Sequence, residues 1–246
     1  MTAAARARMR VRLPLLAVGA AAWLALAVRL GEGMHGAVHP GGWSPTSLVA
    51  EAALMFAAMM VPLMGAPVRH VRDRSFAARR GRAVALFAAG YALPWIGAAV
   101  VLLAAAAWIV AVHSPVVLAL AFAAVAVFQS SPQKQHCLNR CHAHPALAAF
   151  GARADLDALR FGVSHARWCI GSCFALMLLP MLFTRGHLVV MAGVTLWLAG
   201  ERFERPVPPR WRWRGPARVV RIALGQARAW LRPPGKEVLV PRAPTP

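Results

Sequence analysis

All four cysteines of this 246-residue chain fall in two pairs of identical spacing, Cys137 with Cys141 in QHCLNRC and Cys169 with Cys173 in WCIGSC. On a helix, a separation of four residues puts both sulfurs on one face, about 6 Å apart along the axis. Two such pairs can supply two to four thiolates to one ion, and soft thiolates select copper(I), zinc or iron–sulfur centres. The gap differs from the two-residue gap of zinc knuckles. Spacing alone therefore leaves open a plainer role for the cysteines, as small apolar residues packed between helices. Imidazoles crowd the first pair, and His136, His142 and His144 make HCLNRCHAH the densest run of ligand types in the chain.

Around the second pair, His165, Cys169, Cys173, Met177 and Met181 follow one another at intervals of four. Imidazole, thiolate and thioether would then form one slowly winding column, all of them able to bind copper(I). An ionisable His165 at a membrane helix is costly and often functional. A third sulfur cluster, EAALMFAAMMVPLMG, sets Met55, Met59, Met60 and Met64 within ten residues. Thioethers bind copper(I) and hardly bind zinc, so these methionines favour copper(I) first and zinc second. Their bland alternative is adaptable packing by a flexible side chain. Met34, His35 and His39 offer a further, scattered set in a glycine-rich loop.

The elements that must position these side chains are apolar. Residues of hydrophobic type make up 59% of the chain, and its mean hydropathy is +0.53, beyond an ordinary soluble domain. Crossing roughly 30 Å of hydrocarbon takes about 20 mostly apolar residues. Six apolar segments are legible, at about 13–30, 47–68, 83–112, 115–131, 163–183 and 187–200. The first, behind RARMRVR, reads as an uncleaved signal anchor because further spans follow. Pro94 near the middle of the third suggests a kink or tilt. A short helix around residues 133–150 is expected to fold back against the fifth span, so that all four cysteines meet.

Lys and Arg total 28 against 8 Asp and Glu, and the basic residues alternate between loops. RHVRDRSFAARRGR and the stretch 131–160 are basic, whereas GEGMHGAVHPGGWSPT and VHSP carry no Lys or Arg. Such alternation follows the positive-inside rule and places both termini in the cytoplasm, in a bacterial inner membrane. Both cysteine pairs then lie toward the reducing side, which argues against structural disulfides. Residues 201–246 form a basic tail, in which Val219, Val220, Leu224 and Trp230 alternate with Arg218, Arg221 and Arg228 as an amphipathic helix suited to an anionic lipid surface. Nucleic acid is not expected as a partner. The chain has no HExxH, no nucleophile elbow and no Walker loop. Acidic residues are nearly absent from the spans, against a carboxylate-based proton pump.

Three stretches carry a family resemblance. They are MFAAMMVPLM (Met55 to Met64), FQSSPQKQHCLNRC (Phe128 to Cys141) and GVSHARWCIGSCFALM (Gly162 to Met177). In order and content they resemble the bacterial family of predicted metal-binding integral membrane proteins, a domain of unknown function sometimes labelled copper chaperone. Phe128, Ser131 and Ala166 depart from that pattern, and Ser172 replaces one of its adjacent cysteines. The resulting expectation is an all-α polytopic bundle of about six spans, more a binding protein than an enzyme. Its ligand set would be Cys137, Cys141, Cys169, Cys173, His136, His165, Met55, Met59, Met60 and Met64. Partners would be the lipid bilayer, the metal ion and a metal-receiving or other membrane protein. A membrane thiol oxidoreductase using the two cysteine pairs, and a non-catalytic assembly partner of a larger complex, are the alternatives.

Overall fold

The computed structural model describes residues 3–31, 45–183 and 186–215, with positions 220, 221, 224 and 225. Met34, His35, His39 and most of the tail helix read over residues 218–230 lie outside the described residues. Among the described residues all regular structure is helical: α1 (Ala3–Gly31), α2 (Pro45–Met60), α3 (Gly65–Asp73), α4 (Arg80–Ala111), α5 (Pro115–Ser130), α6 (Pro132–Cys141), α7 (Gly151–Leu182) and α8 (His187–Glu201), with short 3-10 turns at Val61–Met64 and Ala77–Arg79.

The six apolar segments differ in whether each is long enough by itself to cross a membrane. Among the described residues, four stretches are long and apolar enough to cross a membrane: Met9–Arg29, Val49–Asp73, Ala77–Ala111 and Gly151–Leu182. A fifth exists only if α5 and α6, bent by 59°, act as one broken span. The sixth segment, α8, is apolar but has 15 residues, short of the roughly 20 a crossing takes. The fifth apolar segment begins earlier than expected, because polar residues from Gly151 onward continue the same 32-residue helix as α7.

The bend between α5 and α6 is written in SSPQK. Pro132 cannot donate to the preceding turn, and it biases Ser131 away from helical backbone. Ser131 accordingly takes φ −71°, ψ 149°, and its side chain accepts a hydrogen bond from the Lys134 amide at 3.2 Å, capping α6. α6 is shorter than the helix expected over 133–150. It stops at Cys141, and residues 143–148 leave the helix around Pro145, whose ring forbids continuation.

Proline also explains how α1 meets α2. Pro62 has no N–H, so the carbonyl of Ala58 one turn earlier loses its helical partner. Trp23 supplies the missing donor, its indole N–H reaching Ala58 O at 3.2 Å. One turn before Trp23, Gly19 leaves room for the Pro62 ring; a Cβ there would come 2.5 Å from Pro62 Cγ. α1 thus runs antiparallel to α2 and covers the break.

The most extensive pairing is between α4 and α7. They run parallel, since Arg79 meets Asp155, Phe87 meets Phe161 and Tyr91 meets His165. Gly90 and Gly162 let the two backbones nearly touch, and a Cβ on Gly90 would lie 2.4 Å from Leu159 O. At their shared end Asp155 holds both Arg79 and Arg82 at 2.7 Å. One continuous buried core results. It contains Met55, Met59, Met60, Met64, Met177, Met181 and Met191, seven of the chain's ten methionines, together with Cys141, Cys169 and Cys173.

Candidate metal centre

Cys169 is the hub. The α4–α7 contact that the glycines permit brings Tyr91, the only tyrosine of the chain, to donate its hydroxyl to Cys169 Sγ at 3.0 Å. From the C-terminal end of α8, Arg202 Nη2 donates to the same sulfur at 3.0 Å and to Ser172 Oγ at 3.2 Å. One turn on, Cys173 Sγ bonds back to the Cys169 carbonyl at 2.8 Å, the local bond a thiol makes on a helix. α6 delivers Cys141, whose sulfur lies 3.9 Å from Ser172 Oγ. Cys141, Cys169 and Cys173 therefore gather where α6, α7 and the end of α8 meet, all with free thiols and all buried.

Cys137 takes another direction. Its sulfur packs over Gly171, where a Cβ would come 2.7 Å from it. Gly171 is two residues from both Cys169 and Cys173, about 200° around the helix, so Cys137 meets the opposite face of α7. His136 goes with Cys137 and packs edge-on to Trp168, ring centroids 5.6 Å apart, with the Arg140 guanidinium over the same indole. The first pair is thus divided: Cys141 borders Ser172 near the other thiols, while Cys137 packs on Gly171.

His165, one turn before Cys169, is 8% exposed and boxed in by Phe87, Tyr91 and Phe161 at centroid distances of 6.2, 5.7 and 5.7 Å. Its Nδ1 is buried without a hydrogen-bond partner. A buried ring nitrogen without a partner is uncommon in a folded protein, where nearly all such groups are satisfied. Phe161 in turn separates His165 from a second imidazole pair, His70 and His144, whose rings are 4.9 Å apart. Partial burial first, then the neighbouring His70, hold His144 below the ordinary histidine range. His142 is engaged otherwise, with Nδ1 2.9 Å from Leu138 O and Nε2 3.2 Å from Arg202 O, tying the end of α6 to the end of α8.

Met55, Met59, Met60 and Met64 line the buried side of α2 and the turn after it. Phe56 between them reaches Tyr91 at 5.8 Å and Trp95 at 5.7 Å, which joins the methionine helix to the tyrosine that holds Cys169. Among the described residues, however, no three of the His, Cys, Asp and Glu side chains are arranged to grip one ion together.

Beside the thiols lies a buried polar knot. Lys134 Nζ is 2.8 Å from Glu201 Oε1, the side chains 0% and 3% exposed. Gln129 closes the triangle with short hydrogen bonds to both. The segment after α8 packs over the α5–α6 bend, through Asn139 with Val207, Arg212 N with Ser130 O, and Arg214 Nη1 with the carbonyls of Gln129 and Ser131.

Sequence reasoning did not find Tyr91, Ser172 or Arg202 as neighbours of the thiols. Two signals were available. A lone tyrosine within an apolar span needs a partner for its hydroxyl. The ER dipeptide closing the last apolar run puts charges where burial would have to be compensated.

Curated proteins and solved structures gave no match to this chain. A family profile, PpoB2, described as copper chaperone, matches residues 49–225, a stretch that holds both cysteine pairs, the methionine helix, Tyr91 and Arg202. The match covers well over half of the chain, and the protein belongs to this copper chaperone family.

Proposed function

We propose that the protein handles copper(I) as cargo within a bacterial inner membrane, with both termini cytoplasmic, and passes it on by ligand exchange between thiolates and thioethers. The observation that carries this reading is the meeting of Cys141, Cys169 and Cys173 in the same buried core as seven methionines. Copper(I) is content with two or three soft ligands, so a divided set of thiols with an orphan imidazole suits it better than it suits zinc, which closes a tetrahedron. The α7 column from His165 to Met181 rises about 24 Å, at 1.5 Å per residue, most of the hydrocarbon thickness. Ligands of similar softness along that height, joined by Met55, Met59, Met60 and Met64, favour stepwise exchange over trapping at one deep site. His165 completes the thiol centre, while Cys137 and His136 stand outside it.

The test is metal content after purification under reducing conditions, with copper(I) and zinc offered together. The wild type is expected to retain near-stoichiometric copper, Cys141→Ser/Cys169→Ser to lose it, and Cys137→Ser to keep it. Absence of copper from the wild type, or equal retention by the double variant, would sink the reading. Ser172→Cys adds a sulfur beside Cys141 and is expected to tighten copper retention against a chelator about tenfold, the factor that 1.4 kcal/mol brings.

A further inference from the structure

The thiol centre is filled by a cation that belongs to the protein. Arg202 Nη2 lies 3.0 Å from Cys169 Sγ and 3.2 Å from Ser172 Oγ, and the same guanidinium acts electrostatically on Cys141. Ser172 Oγ in turn is 3.9 Å from Cys141 Sγ. A metal–sulfur bond is about 2.3 Å long. An ion bonded to Cys169 on the side facing Cys141 would need the volume that Nη2 now occupies. The guanidinium therefore occupies the place beside Cys169, and acting on Cys141, that a soft cation held by these thiols would compete for.

Resting on the copper(I) reading above, we infer that Arg202 is a tethered exchange cation: copper(I) displaces its guanidinium on entry, and the guanidinium's return to Cys169 and Ser172 drives copper(I) out at handover. A protein that delivers an ion has to release it. An internal cation that re-forms two hydrogen bonds as the metal–sulfur bond breaks gives release a compensating interaction, in surroundings where an unpaired polar group is costly. The backbone at Arg202 is anchored independently, its carbonyl held by His142 and its N–H by the last turn of α8. The side chain can thus leave and return without unfolding the helix end.

The experiment measures the rate at which copper(I)-loaded, detergent-solubilised protein yields its ion to a saturating chelator. Arg202→Gln, which keeps a donor but removes the charge, is expected to slow release about tenfold, with Arg202→Lys within about threefold of wild type because it keeps the cation on a flexible stem. Release from Arg202→Gln that is unchanged or faster would show a simple counter-ion and overturn the inference. If Arg202→Gln does not purify as a folded protein, Arg202→Met is read by the same criterion. A wild type that holds no copper(I) defeats the functional reading and this inference together. A wild type that needs Cys141 and Cys169 for copper, but whose release ignores residue 202, defeats the inference alone.

Discussion

Gly162→Ala is expected to destabilise the protein by on the order of 3 kcal/mol, the upper end of what overpacking a close interface costs. The added Cβ would fall 2.2 Å from Phe87 O and 2.9 Å from Tyr91 N, both backbone atoms that cannot swing aside. Either α4 and α7 separate or the α4 backbone distorts. Gly90→Ala meets Leu159 O in the same way. Gly97, two turns further along α4, has nothing within 4 Å of its virtual Cβ. Gly97→Ala should therefore be neutral or stabilising by up to about 1 kcal/mol, the ordinary gain of alanine over glycine in a helix. Thermal unfolding of the three variants in one detergent checks this. Equal effects at Gly162 and Gly97 would mean that the two helices are not in backbone contact. The consequence reaches the thiol centre, because the same approach brings Tyr91 to Cys169. Gly162→Ala should weaken copper(I) retention even in the fraction that stays folded.

Those glycines illustrate what could be read from the chain and what could not. The apolar segments were legible because transfer of side chains from water depends on composition over a window, which sequence states directly. The Ser131–Pro132 bend and the end of α6 are local backbone chemistry, yet the helix was expected to continue to residue 150, past the Pro145 that prevents it. The number of full spans was harder, because α5, α6 and α8 are each too short alone and their pairing is tertiary. At the centre, the i, i+4 rule brought Cys169 and Cys173 onto one helix. It says less about Cys137 and Cys141, because it speaks of one helix and not of where its neighbour lies: Cys137 packs on Gly171 and Cys141 borders Ser172. Gly171 decides that contact, and a glycine in an apolar run carries no sign of what will fill its space. Ser172 was noted only as a missing cysteine of the family pattern. In the structure its hydroxyl holds Arg202 and borders Cys141. Arg202 itself comes from 33 residues beyond Cys169, and no spacing rule links them.

The buried pair beside the centre makes the second large prediction. Glu201→Gln removes the negative charge that faces Lys134 at 2.8 Å, where the lysine is wholly inaccessible. Breaking a buried pair from one side leaves an uncompensated charge and costs about 3–5 kcal/mol. Replacing both partners is different. Lys134→Met/Glu201→Leu removes two desolvation costs along with the attraction, and such exchanges are commonly neutral or stabilising. The double variant is thus expected to recover most of what Glu201→Gln loses, with the loss left by Gln129, whose amide then lacks both partners. Unfolding midpoints of the single and double variants decide it. If Glu201→Gln unfolds like wild type, the pair is not buried as described. The pair also bears on the ion. Glu201 is the last residue of α8, and Arg202 follows it directly. Anchoring Glu201 to Lys134 fixes the height at which the Arg202 guanidinium meets Cys169. Even a stable double variant is therefore expected to release copper(I) at an altered rate, because one of the contacts that set the position of Arg202 would be gone while those to His142 and the last turn of α8 remain.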